Sequence, residues 1–239
     1  MTPVAQALAA CNLGDMDKPL ETIIVDSILD AIADQRLRAG TKLGEQALSD
    51  LFRCNRAHVR RALATLTAYR VVDHLPNRGA FVATPTPQDA RDIFQARRAI
   101  ERVICRNAVN QATEQDIADL RSHLAQEAAA KGQGNRPAAV RLSRGFHVLL
   151  GRVGRNPVLS RYLEELTMQS SLIIGLYASA HGTLCAEDEH ARLVDAIEAR
   201  DPDAAQRLLD EHLRHIEAGI EFGDEAPPTD MLSAVLKRS

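Results

Sequence analysis

Apolar residues recur at helical spacing through most of this chain. In KPLETIIVDSILDAIADQRLRAG, Leu20, Ile23, Ile24, Ile28 and Ile32 share one side of a helical wheel, Asp17 stands where a cap is needed, and Gly40 suits the closing turn. A short helix follows in EQALSDLFRC, with Leu48, Leu51 and Phe52 to one side. Asn55 is a good N-cap for RAHVRRALATLTAYR, whose inward face is Val59, Leu63 and Leu66. The period then changes. VVDHLPNRGAFVAT holds two β-prone segments, Val71 to Leu75 and Ala80 to Thr84, joined by PNRG, where Asn77 and Gly79 can take positive φ. Three helices and a hairpin in that order are a winged helix-turn-helix.

TPTPQ interrupts both patterns, because its prolines fix φ and remove donors. Beyond it the helical period returns, predicting helices near 89–110, 114–131, 137–153, 157–180, 187–199 and 202–222. The expected organisation is a flexible tail over 1–17, a winged helix-turn-helix over 18–84, a linker over 85–88, a helical effector-binding and dimerisation domain over 89–222 and a C-terminal tail over 223–239. The fold class is mostly α, with the winged domain followed by an antiparallel helical bundle.

Composition agrees with that reading. The chain of 239 residues is 45% hydrophobic and 26% charged, with only 3% aromatic residues, and its unbranched Ala, Leu, Glu and Arg favour helix. The cysteines, Cys11, Cys54, Cys105 and Cys185, are scattered and form no CxxC pair, so a reducing, cytoplasmic setting is expected. The opening MTPVAQALAACNLGD carries no secretory pattern, and the apolar run around SLIIGLYASA is too short to span a bilayer.

Net charge is −3, yet the stretch from Leu51 to Arg78 holds six arginines against the single acid Asp73. A helix that enters the major groove carries such residues on its exposed, N-terminal face. Arg56 and Arg60 lie four apart, opposite the apolar stripe, while Arg53 and Arg61 are placed for the DNA backbone and Arg78 and Gly79 form the wing tip. A solvated basic helix would account for the arginines alone; the complete docking element around them favours DNA.

Three histidines sit on or beside apolar faces. His190 lies within the stripe of Leu193, Val194 and Ile197, and His212 within that of Leu208, Leu209, Ile216 and Ile220. His147 flanks the stripe of Leu142, Phe146, Leu149 and Val153, whereas His181 and His215 belong to surface or loop. Each inward histidine is either a core residue satisfied by hydrogen bonds or part of a site. Arg97 shares the face of Ile93, Ile100 and Ile104, so its guanidinium needs a carboxylate: Glu101 one turn on, or the acid group of a bound metabolite.

GTKLGEQALSDLFRCNRAHVRRALATLTAYRVVDHLPNRGAFV resembles the GntR family of bacterial transcriptional regulators, within it the FadR-like subfamily with an all-helical FCD-type effector domain. The likeness continues through FQARRAIERVICRNAV, FHVLLGRVGRNPVL and EHARLVDAIEARDPDAAQRLLDEHL, covering residues 18–217. It implies a homodimeric regulator, more often a repressor, that reads a palindromic operator through Arg53, Asn55, Arg56, His58, Arg60, Arg61, Arg78 and Gly79. Asn55 stands where the family usually has Ser, and His58 and Arg61 where Pro and Glu are common, so the operator is not transferable.

Many FadR-like effector domains hold a divalent metal with three histidines and one aspartate. Phe146 and His147 match the family's Asp-x-x-Phe-His turn, and His190 and His212 match the other ligands; the aspartate is replaced by Ser143. Three imidazoles can still hold one Zn²⁺ or Ni²⁺ per chain, leaving positions for an effector carboxylate; a metal-free polar pocket is the alternative. Arg97, Ser143, Gln169 and Tyr177, with Ser170, are the candidate contacts of a small organic acid. An enzyme built on these histidines is disfavoured, because no HExxH occurs and no inward acid is expected beside them. An architectural DNA-binding protein with a purely dimerising C-terminal half is the other rival.

Overall fold

A computed structural model describes residues 19–178 and 188–222. The chain divides into two compact units, one running up to Ala83 and the other beginning at Thr84.

The first unit contains α1 (Leu20–Ala33), β1 (Lys42–Leu43), α2 (Glu45–Phe52), α3 (Arg56–Ala68), β2 (Val72–Leu75) and β3 (Gly79–Val82). Ile24, Ile28 and Ile32 of α1, Leu48 of α2, and Val59, Leu63 and Leu66 of α3 close over one another as their spacing requires. Asp17 lies outside the described residues; α1 begins after Pro19, with no side-chain cap. Asn55 does cap α3, accepting from the Ala57 amide at 2.8 Å. Asn77 (φ 60°) and Gly79 (φ 95°) take the left-handed conformations expected of the hairpin tip. The sheet is antiparallel in the order β1-β3-β2, with Lys42 opposite Phe81 and Val72 opposite Val82. β1 is a correction to the sequence reading: two residues are too few to show a period.

The second unit is all helical among its described residues: α4 (Pro87–Gln111), α5 (Glu114–Gly132), α6 (Arg136–Val153), α7 (Pro157–Tyr177), α8 (Glu189–Glu198) and α9 (Pro202–Ala218). Proline starts several of these helices rather than merely interrupting them. Pro87, Pro157 and Pro202 each follow a capping residue, Thr86, Asn156 and Asp201, at a position whose amide has no helical partner. Hence α4 starts at Pro87, inside the stretch read as linker, with Thr86 and Asp89 forming a capping box. At the other end, α9 stops at Ala218 rather than 222, and Ile220 pairs with Ala178 in an isolated antiparallel bridge.

α4 is the axis of this unit, touching α6, α7, α8 and α9. Its Ile104 and Ala108 join Phe146 and Leu150 of α6, Leu163 of α7, Val194 and Ile197 of α8 and Leu213 of α9 in one core. Each fully buried Leu, Ile or Phe contributes about 1.5–3 kcal/mol through area removed from water. The polar residues enclosed by this core are few: they define the site.

Candidate functional site

In the first unit, Arg53, Arg56, Arg60, Arg61 and Arg78 are all exposed. Arg56, His58, Arg60 and Arg61 of α3 each have a side-chain partner. Arg60 Nε donates to Glu45 at 2.9 Å, Arg56 reaches Gln46, and Arg78 lies 5.5 Å from the Phe81 ring centre. Arg61 Nε donates to Glu21 of α1 at 2.6 Å, and His58 Nδ1 sits 3.0 Å from the same oxygen. His58 and Arg61 therefore turn back toward α1, while Arg56 and Arg60 bond to α2. The hydrogen bonds from Arg61 and His58 help hold the Glu21 carboxyl at about 2, after its own backbone amide. Asn55 has its side-chain oxygen committed to the cap.

In the second unit, His147 of α6, His190 of α8 and His212 of α9 come together in the core, the one such group among the described residues. Their exposures are 2%, 4% and 1%, so His147, expected at the flank of its stripe, is as buried as the others. The reason is that α6 is covered by α4, α5 and α7, which makes its inward face wider than one stripe. His147 Nε2 lies 3.2 Å from His212 Nε2, and His190 Nε2 lies 3.1 Å from it. Phe146 stacks on His190 at 4.1 Å between ring centres, walling off one side.

Each histidine is backed by a glutamate from another helix. His147 Nδ1 is 2.5 Å from Glu101 of α4, His190 Nδ1 is 2.9 Å from Glu127 of α5, and His212 Nδ1 is 2.8 Å from Glu189 of α8. This corrects the expectation that no acid neighbours the histidines. A helical wheel compares residues of one element, and every one of these pairs joins two.

The electrostatics fix the tautomers. Burial raises the Glu101 carboxyl, but Arg97 and His147 outweigh it and hold it down at about 2. Burial likewise opposes ionisation of Glu127 and Glu189, but His190 and Lys131 bring the first, and His212 and His215 the second, to about 2. The three histidines are pushed down to about 4, first by burial. Ionised carboxylates only accept, so each neutral imidazole must donate from Nδ1 and present a bare Nε2 lone pair. Three such lone pairs facing one another are suited to a cation. Bonds of about 2.0–2.1 Å at tetrahedral angles separate ligand nitrogens by about 3.3–3.4 Å, near the spacings here. The residues fit a three-imidazole metal site, and Ser143, one turn before His147, is half-buried beside it.

The glutamates are not poised as bases, because their remaining oxygens accept hydrogen bonds from Arg97 at 2.8 Å and His215 at 2.7 Å or, for Glu127 Oε1, which has no hydrogen-bond partner among the described residues, lie in an ion pair with Lys131 at 2.9 Å. His215 is 42% exposed, as expected of a surface residue, but it steadies Glu189.

Arg97 is 2% exposed. Its Nε donates to Glu101, its Nη1 to Ser170 at 3.0 Å, and its buried Nη2 has no hydrogen-bond partner among the described residues. Beside it is a cavity of about 20 Å³ whose polar lining includes Arg97, Ser143, Arg144, His147, Thr167, Ser170 and Ser171. Thr167, Ser171 and Arg144 were not legible as lining. Gln169 and Tyr177 are corrections: Gln169 donates to Glu165 on its own helix, and Tyr177 packs against Ala90 and Ile173 with its hydroxyl 3.3 Å from the Pro85 carbonyl. The Ser-Ser step at 170–171 points inward, so its neighbour at 169 is rotated away from the cavity.

No helix among the described residues is long and apolar enough to cross a membrane. Residues 20–82 match the model of bacterial regulatory proteins of the gntR family, and residues 92–215 match the FCD domain. The HTH-type transcriptional repressor RspR of Escherichia coli is 26% identical over 76% of this chain and 80% of its own. The Glc operon transcriptional activator of the same species is 22% identical over 86% and 91%. Escherichia coli McbR/YncC shares the fold, with a TM-score of 0.71 at 19% identity over 84% of this chain and 96% of that one. The chain is a transcriptional regulator of the gntR family, with a helix-turn-helix domain followed by an FCD domain.

Proposed function

We propose that this regulator is a cytoplasmic homodimer that represses from a palindromic operator and is controlled by a small organic acid bound in its FCD domain beside one divalent metal ion. Residues 18–84 would dock on DNA, with Arg56 and Arg60 toward the major groove, Arg53 toward the backbone and Arg78 and Gly79 at the wing. His58 and Arg61 would act less on DNA than on the setting of α3 against α1, through Glu21. The observation that carries the effector reading is the convergence of three Nε2 lone pairs beside a buried guanidinium with an unused donor. Zn²⁺ suits three imidazoles best, with Ni²⁺ next.

The metal would supply a positive centre able to attract a carboxylate. His147, His190 and His212 would hold it, and Glu101, Glu127 and Glu189 would hold them. Ser143 provides no charge there, so the acid supplies the carboxylate that the family's aspartate gives elsewhere. For the acid to control transcription it must bind the DNA-competent and incompetent arrangements unequally, and DNA must then alter acid affinity by the same factor.

The test is elemental analysis of the full chain purified without chelator, beside His147→Ala and His190→Ala, with selection of bound sequences from random duplex DNA. About one divalent ion per chain, lost in the variants, together with a palindromic consensus, supports the reading. A parent chain that takes up no divalent ion even when it is added back overturns the metal, and enrichment of no sequence overturns operator recognition.

A further inference from the structure

Glu101 differs from the other two glutamates in what its second oxygen touches. Glu127 and Glu189 turn theirs to Lys131 and His215, which face away from the cavity, whereas Glu101 gives Oε1 to Arg97 and Oε2 to His147. Its carboxylate has no exposed surface, and it joins the two groups that border the small cavity, one a guanidinium and one an imidazole. Resting on the metal and acid reading above, we infer that Glu101 is a positioning residue that couples the metal and acid sites, so that each ligand tightens the other through one shared carboxylate.

The physical argument is competition for charge. With a cation at its Nε2, the His147 imidazole donates more strongly from Nδ1 and draws on the charge of Glu101. Arg97 is then less satisfied by Glu101, and its fork, with Nη2 already lacking a partner, turns its attraction to an anion in the cavity. In the other direction, an anion on Arg97 relieves Glu101 of part of its load and leaves more of its charge to raise the basicity of His147. Buried in low dielectric, this exchange is screened little. Linkage requires the two effects to be equal as binding free energies. Glu127 and Glu189 have no contact with Arg97 and cannot carry it.

The experiment uses Zn²⁺ in competition with a chromophoric chelator, with acetate as the probe anion, on the full chain and its Glu101→Gln and Glu127→Gln variants. Both variants should lose metal affinity by about 10–100-fold, the usual cost of removing a group that orients a metal-bound histidine. In the parent, acetate should tighten Zn²⁺ by about fivefold or more. Glu127→Gln should keep that factor, and Glu101→Gln should lose at least half of it. Direct ligation of acetate to the metal contributes equally in both variants, so the contrast isolates Glu101. Equal factors in the two variants overturn the coupling, as does Zn²⁺ binding in the parent that acetate leaves unchanged; failure of the parent to bind Zn²⁺ overturns the metal reading beneath it. Should Glu101→Gln not fold, Arg97→Lys keeps the charge without the fork, and it should bind Zn²⁺ while losing the acetate effect.

Discussion

The recognition helix and the histidine centre are built from the same kinds of pair, a carboxylate holding a cationic or imidazole side chain, in opposite surroundings. Around α3, Arg60 and Glu45 are 64% and 38% exposed, whereas Glu101 and His147 in the FCD domain are 0% and 2% exposed. Exposed pairs gain little over their separate hydration and are screened by salt. Their partners are exchangeable, as the proposed docking of α3 on DNA requires. Buried pairs have lost that hydration during folding, and breaking one strands the survivor. The geometry at the histidines is therefore set before any ligand arrives. The difference divides the labour: one region is ready to swap partners, the other to hold them still.

The largest effect that would sharpen this contrast is on stability. Glu101→Ala strands Arg97 and removes the acceptor of His147, and should lower the free energy of unfolding by about 3–5 kcal/mol. Glu45→Ala, at the same protein concentration and in the same urea titration, should leave the midpoint nearly unmoved. Comparable shifts in the two variants would break the comparison at its base.

Acid comes next. In metal-free chain, the three buried histidines have folded pKa values near 4, below the ordinary 6.5. Between those values the unfolded chain binds protons that the folded chain refuses, so stability rises with pH through that window and is fully present above it. Lowering pH from 7 to 4 should therefore lower the melting temperature steeply. Glu101, Glu127 and Glu189, depressed from 4.5 to about 2, extend the loss in the same direction below pH 4.5. Glu21 at the surface shifts the same way, but solvent screening makes its share small. His190→Gln should flatten the upper part of the profile. A melting temperature that holds constant from pH 7 to 5 without metal would show that these histidines are not kept neutral by burial.

On DNA the roles reverse, and the exposed region carries the effect. Arg60→Ala should weaken operator binding and reduce the magnitude of the slope of log affinity against log salt, by up to about 0.9, because a cation held in the groove also displaces counterions from the duplex. Arg61→Ala should do less, because two of its nitrogens already serve Glu21. Binding of a labelled operator across a salt series reads both, and a slope unchanged by Arg60→Ala counts against the docking of α3.

Much of this was legible in the chain, for physical reasons that also explain what was not. The wing follows from a change of period and from Asn77 and Gly79, and each long helix from its stripe, whereas in the sequence the prolines at helix starts read only as breaks. Inward placement of Arg97, His190 and His212 follows from the wheel. The glutamate partners do not, because contact between helices depends on rotation and approach that no single stripe encodes. Glu101 was visible as the neighbour of Arg97 one turn away, yet its contact with His147, across 46 positions, was not. Glu127 left a faint trace: a lone acid among Ala125, Ala128, Ala129 and Ala130, where small side chains give another helix room to approach. Gln169 and Tyr177 were misplaced because polarity on a long helix says nothing of which side meets the cavity.

The smallest effect tests the exchange itself. If Glu45 competes with DNA for Arg60, then Glu45→Gln removes the competitor's charge and a repulsion at once, while Arg60 remains available for its contact. Affinity for duplex DNA should rise, by a factor of about 1.5 to 5 for an exposed pair, and the salt slope should hardly change, since no phosphate contact is gained or lost. The opposite sign is also informative: a weaker complex would mean that Glu45 orients Arg60 for docking, so that an exposed pair at 2.9 Å behaves like the buried ones and holds its partner in place. Exposure alone would then be the wrong criterion for exchange, and the division between the two regions would have to be drawn by geometry.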